Sequence, residues 1–241
     1  MDLIEIQYIF KINGLQETVD LQLDAANLEI ANKPGGELPA WANLKFDQCP
    51  HCPLDTGTHP CCPVAESLVD VVARFDKILS YDEVDLEIIT SERKVFQRTT
   101  AQRAISSLLG VLFPVSGCPH TAFFKPMVRF HLPMATRQET IFRATGMYLM
   151  AQYYLEKQGR EVDSELTGLA QIYKNLNIIN IHMAERLRSA TRTDSSVNAV
   201  IILDVFAQAL PFVIDDQLEE IRYLFAPYFS DLYQSIIGDI K

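Results

Sequence analysis

Five cysteines and three histidines form the densest group of reactive side chains in the sequence. They read Cys49-Pro50-His51-Cys52-Pro53, Thr58-His59-Pro60-Cys61-Cys62-Pro63 and Cys118-Pro119-His120. Two thiolates separated by two residues can bind one ion, because the intervening turn points both the same way. Two further ligands from elsewhere then complete a tetrahedron. The four cysteines followed directly by proline, Cys49, Cys52, Cys62 and Cys118, are the expected metal ligands. Cys61, His51, His59 and His120 stand in reserve. Zinc suits four thiolates. Cys-Pro also occurs in bacterial iron–sulfur sites, so a [4Fe-4S] cluster is the alternative cofactor. Proline carries a second message, because it removes a backbone N–H that a thiolate ligand often accepts from.

An ion held by four thiolates has no open position, which describes a structural site rather than a catalytic one. The favoured function is therefore a metal-binding interaction or regulatory protein, with no catalytic residues assigned. The alternative is a redox or electron-transfer protein using a cluster or reactive CxxC thiols, with Cys61 as a resolving partner. Cys-Pro-His-Cys also resembles the active-site dipeptide of periplasmic thioredoxin-fold oxidants. That chemistry needs a helix starting at the motif, to depress the thiol pKa. Here Pro53, Gly57 and Pro60 follow at once, and the preceding strands are hairpin material.

The elements that must position these thiols are legible from periodicity. Residues 3–11 alternate as a strand, Asn13-Gly14 is a hairpin turn, and Val19, Leu21 and Leu23 form the return strand. Leu28-Glu29-Ile30 reads as a short third strand. From Asn32 to Cys62 the pattern dissolves into Pro, Gly, Asp, Thr and Cys, a long loop of the kind that is usually functional or cross-linked. Pro63 suits the first turn of a helix through Leu79, with Cys62 at its N-cap. Val84–Ile88 and Val95–Arg98 read as paired strands. Thr100 caps a helix ended by Pro114 and Gly117, just before Cys118.

The remainder reads as helical. Thr136-Arg137-Gln138-Glu139 is a capping box for a helix to Gly159. Ser164 is the expected cap of the next helix, which carries an apolar stripe of Leu169, Ile172, Leu176, Ile179 and Met183. That stripe suggests a homodimer or protein partner through the long helices. His182, with Asn175, Asn177, Asn180 and Glu185, reads as a solvated face, with a buried polar patch as the other reading. Ser195 is the expected cap of a helix breaking at Pro211, and Asp215 or Asp216 opens the last one, interrupted by Pro227. The layout is α+β: an α+β region over 1–135 with a Cys-rich loop at 32–63, then a helical region over 136–241, packed as one unit with the first.

Charge narrows the partners. The net charge of -10 argues against bulk nucleic-acid binding. It conceals an uneven spread: about -12 over 1–92, +8 over 93–192 and -6 over 193–241. The basic middle reads as solvated helix faces or as charge neutralised by the acidic ends, with an anion site clamped by Arg129, His131, Arg137 and Arg143 as the other reading. The acidic N-terminus lacks a secretory pattern, which points to the cytoplasm, where thiols stay reduced. Val197–Ile214 is about long enough to span a membrane, yet Asp204, Gln208 and Pro211 mark it as a core helix. No Gly-rich phosphate loop, GxSxG elbow or HExxH pair is present.

From Pro39 to about Tyr154 the chain resembles an uncharacterised bacterial protein family, a domain of unknown function. The resemblance rests on LKFDQCPHCPL, HPCCPVA and SGCPHTAFFKPM, after an N-terminal hairpin and before a helical C-terminus. It implies no activity.

Overall fold

Alternation of apolar and polar residues builds a four-stranded antiparallel sheet. The computed structural model describes residues 2–32 and 36–237, so residues 33–35 of the long loop lie outside the described residues. β1 (Leu3–Ile12) and β2 (Leu15–Asp24) pair across Asn13 and Gly14, whose φ angles of 51° and 78° are those of a tight hairpin turn. β3 (Glu83–Thr90) pairs with β1 and with β4 (Lys94–Thr100), giving the order β2-β1-β3-β4. Leu28–Ile30 is not a third strand: a single bridge joins Ile30 to Leu23. The turn over 25–27 closes on Leu28, in the left-handed region, and leaves only Glu29 and Ile30 to extend from it.

One face of the sheet is buried. Ile6, Tyr8 and Phe10 of β1, with Val84, Leu86 and Ile88 of β3, pack against α1 (Pro63–Phe75) and α2 (Ala101–Val115). Phe10 meets Phe75 edge-on at 4.7 Å between ring centroids. The same core takes in Ile179, Met183 and Leu187 of α5 (Thr167–Ala190) and Val197, Ala199 and Val200 of α6 (Ser195–Ile221). The architecture is α+β, with the sheet contributed by the N-terminal part and helices completing the fold.

A smaller core lies beneath α4 (Arg137–Lys157), after the short α3 (Lys125–Arg129). There Phe124, Ile141, Ala144, Leu169, Tyr173, Ala207 and Ile214 cluster. Leu169, Ile179 and Met183 of the α5 stripe are therefore buried inside their own chain and supply no dimer face. α6 does not break at Pro211, and no helix opens at Asp215 or Asp216. α6 continues to Ile221, a 3-10 segment Arg222–Phe229 contains Pro227, and α7 (Asp231–Ile237) follows. Proline in a helix interior costs about 3 kcal/mol. The packing of α6 along α5 and α2 outweighs that local cost.

The helix starts show where local pattern suffices. Thr136 and Glu139 form the expected capping box at α4. At α5 the cap is not Ser164. Asp163 holds the turn instead, accepting from the Gly168 and Glu165 N–H groups and from the Tyr148 and Thr167 hydroxyls. A side chain at Gly168 would strike the Tyr148 hydroxyl at 2.1 Å, so glycine permits the close approach. Likewise Asp194, not Ser195, stands at the N-cap of α6, and its carboxylate accepts from the Ser80 N–H and hydroxyl.

The Asp163 arrangement makes a pH prediction. The Gly168 N–H, then the Tyr148 hydroxyl, hold the carboxyl down at about 2. Its folded pKa lies below its unfolded one, so its contribution is full above about pH 4 and is lost as pH falls towards 2. Asp163→Asn is expected to melt at a lower temperature than wild type at pH 7, with the gap closing towards pH 2. A constant gap across that range would exclude ionisation as the cause.

Candidate metal centre

The Cys-rich loop is pinned at both ends by backbone pairing. The Leu44 N–H donates to the Pro60 carbonyl, and the Cys62 N–H to the Ala42 carbonyl, around a bridge between Asn43 and Cys61. Neighbouring residues on an extended segment point to opposite faces. Cys62 therefore turns toward the core, where it packs as the N-cap of α1, while the Cys61 Sγ lies 3.9 Å from the Asn43 Oδ1. Inside the loop, the Cys52 N–H donates to the Cys49 carbonyl at 3.0 Å and closes the CxxC turn.

A buried arginine holds the loop from the other side. Arg186 of α5 is 2% exposed. Its guanidinium donates to the carbonyls of Trp41 (2.7 Å), Asn43 (2.8 Å) and Leu44 (3.0 Å), and it lies over the Phe46 ring. No sequence argument had singled it out. A signal was present: the stripe spacing of α5 reaches position 186 after Met183, so a charged residue occupies a core position.

Cys49 senses the charge of Cys52, Cys62 and Cys118, and Cys62 that of Cys52. Burial pushes the Cys49 thiol up to about 12, with Cys62, Cys118 and Cys52 adding to the rise and Arg186 opposing it. Burial also raises Cys62 and Cys118. The opposing groups share a pattern. The N–H groups of Ala65 and Val64 favour a Cys62 thiolate, and those of His120 and Thr121 favour a Cys118 thiolate. In each case proline removes the donor at the next position, and the residues two and three further on supply N–H groups instead. The expectation that Cys-Pro starves the sulfur of donors is thus met by the following turn. All five cysteines are unpaired thiols.

The reserve residues separate into two groups. Cys61 and His59 face away, His59 sharing a hydrogen bond with the Thr58 hydroxyl. His51 and His120 lie together, their ring centroids 4.1 Å apart, and the His120 Nε2 is 3.0 Å from the His51 carbonyl oxygen. Burial, then the neighbouring His120, lowers the His51 pKa. His182 is not on a solvated face. It is half-buried, with its Nδ1 3.2 Å from the Asp47 carboxylate, and Asn180 beyond it is fully buried. Nearby, Asn177 donates to Asp204 across the α5–α6 interface at 2.6 Å.

The donor set fits a thiophilic cation by chemistry: the desolvated thiols of Cys49, Cys62 and Cys118, the Cys52 thiol on the same CxxC turn as Cys49, and a buried guanidinium beside them. Among the described residues, no group of three or more His, Cys, Asp or Glu side chains is gathered in metal-holding geometry.

The sequence profile of a domain of unknown function, DUF6901, matches residues 4–226 and so spans the sheet, the cysteine loop and the helices through α6. The chain belongs to that family. No curated protein and no solved structure matches it. Membership in DUF6901 carries no activity to this chain, so the chemistry of the thiols has to be argued from the residues themselves. Among the described residues no helix is long and apolar enough to cross a membrane.

Proposed function

We propose that this chain is a cysteine-ligated metal protein of the cytoplasm, in which Cys49, Cys52, Cys62 and Cys118 hold one zinc ion. The ion serves as a cross-link between the loop, the start of α1 and the end of α2. The reading is carried by the position of Cys62 at the N-cap of α1 and of Cys118 just past the end of α2, where the N–H groups of the following turn favour each thiolate. Donors aimed at a sulfur stabilise a thiolate, and a thiolate is the form that binds metal. Four thiolates and a divalent ion leave a surplus of negative charge, and the buried Arg186 offsets part of it. A closed set of four ligands favours an interaction or regulatory role over catalysis. Exposed Phe142, Leu149, Met150, Tyr153 and Tyr154 on α4 support a protein partner, or a second copy of the chain, at the long helices.

The test is metal analysis and an absorption spectrum of protein purified without oxygen. A colourless protein with one zinc per chain is the expected result. A brown protein with iron and acid-labile sulfide would replace zinc by a [4Fe-4S] cluster and move the function to electron transfer. A metal-free protein with five titratable thiols would overturn both.

A further inference from the structure

A cavity of about 350 Å3 opens between α2, α4, α5 and α6, within the ordinary size range of small-molecule sites. Its walls are mainly apolar, with Phe113, Phe124, Leu176 and Leu203 among them. Three arginines, Arg103, Arg137 and Arg143, also line it, and among the described residues no Asp or Glu does. Arg143 is committed to the Met127 and Phe130 carbonyls. Arg103 and Arg137 are exposed, and neither forms an ion pair among the described residues. His131 does not complete an ionic clamp, because burial, then Arg143 and Arg93, keeps its pKa down at about 4 and the ring neutral. It is engaged with the Tyr8 hydroxyl at 2.7 Å.

Two features of this cavity go against stability of the chain alone. Asn180 lines it with 0% exposure, and among the described residues neither its amide nitrogen nor its amide oxygen has a hydrogen-bond partner. An unsatisfied buried polar group is destabilising, because it has lost water without gaining a partner. Gly110, inside α2, also lines it, and a Cβ there would meet nothing within 4 Å. Glycine within a helix is less stable than alanine, because it loses more backbone freedom on folding. At Gly110 that cost keeps one wall of the cavity open.

We propose that this cavity binds a small amphipathic organic anion. Its carboxylate faces Arg103 and Arg137, its aliphatic body lies along Phe113, Phe124 and Leu176, and a hydroxyl or amide group satisfies Asn180. The asparagine amide both donates and accepts, so its partner must do the same. The site is independent of the metal reading.

Calorimetric titration of the full chain with N-octanoylglycine and with undecanoate tests this. The two probes share length and charge, and only the first carries an amide. N-Octanoylglycine is expected to bind about tenfold more tightly, because undecanoate leaves Asn180 unpaired. Asn180→Leu is expected to erase that preference while melting no lower than wild type. Gly110→Leu fills the cavity and is expected to abolish binding of both probes. Should Gly110→Leu fail to fold, the Asn180→Leu comparison still decides. No binding of either probe to wild type, equal affinities for the two, or Gly110→Leu binding at wild-type strength would overturn the proposal.

Discussion

Arg186→Ala is expected to destabilise the chain by about 2–4 kcal/mol, because buried carbonyls lose their hydrogen-bond donor. The Trp41 and Leu44 carbonyls lose their donor together, while the Asn43 carbonyl keeps the Phe46 N–H. Each buried carbonyl left unpaired costs about 1–3 kcal/mol, and water entering the vacated space recovers part of the sum. Arg186→Lys is expected to rescue little, because an ammonium is a compact point charge and cannot reproduce the planar fork that reaches three acceptors. Urea unfolding of the two variants measures the loss directly. A cost below about 1 kcal/mol for alanine would show that the carbonyls find other partners. The same substitution removes the positive charge beside Cys49 and Cys62, so the variant is also expected to surrender metal to a chelator sooner than wild type.

The second large effect separates two adjacent cysteines. Cys62→Ser is expected to lose zinc and about 2–4 kcal/mol of stability, whereas Cys61→Ser retains both. A metal clip that closes a long loop acts on the unfolded chain much as a disulfide does, which sets that magnitude. It falls short of the full binding energy of a structural zinc because this chain has a core of its own, and metal is not its only source of stability. Zinc content by mass spectrometry and melting in the presence of a chelator read the two effects separately. Equal behaviour of the two serine variants would remove Cys62 from the ligand set.

Much of this fold is written in local pattern. Apolar alternation marks β1 to β4, Asn13-Gly14 marks the first turn, and Thr136 with Glu139 marks the start of α4, because each depends on residues only a few positions apart. The helix starts at Asp163 and Asp194 were harder. Each is flanked by serine or threonine of equal capping ability, and the choice falls to partners such as Tyr148 and Ser80 that only packing supplies. The fate of the α5 stripe was ambiguous for a similar reason. An apolar face must be covered, and periodicity does not say whether the cover is another chain or α2 and α6 of the same one.

At the cysteines the same division holds. The sequence by itself determined which residue types are gathered, the Cys-Pro recurrence, and the position of Cys62 at a helix start opened by Pro63. It left Cys61 and Cys62 nearly interchangeable. The bridge at Asn43 tells the two apart by face, since consecutive side chains on an extended segment point opposite ways and Cys62 turns to the core. Tertiary structure alone decided that Arg186 ties down carbonyls about 140 residues earlier in the chain, and that Asn180 lines a cavity with no partner among the described residues. Burial and hydrogen-bond satisfaction depend on what the fold brings alongside a residue, and that is not encoded in its neighbours along the chain.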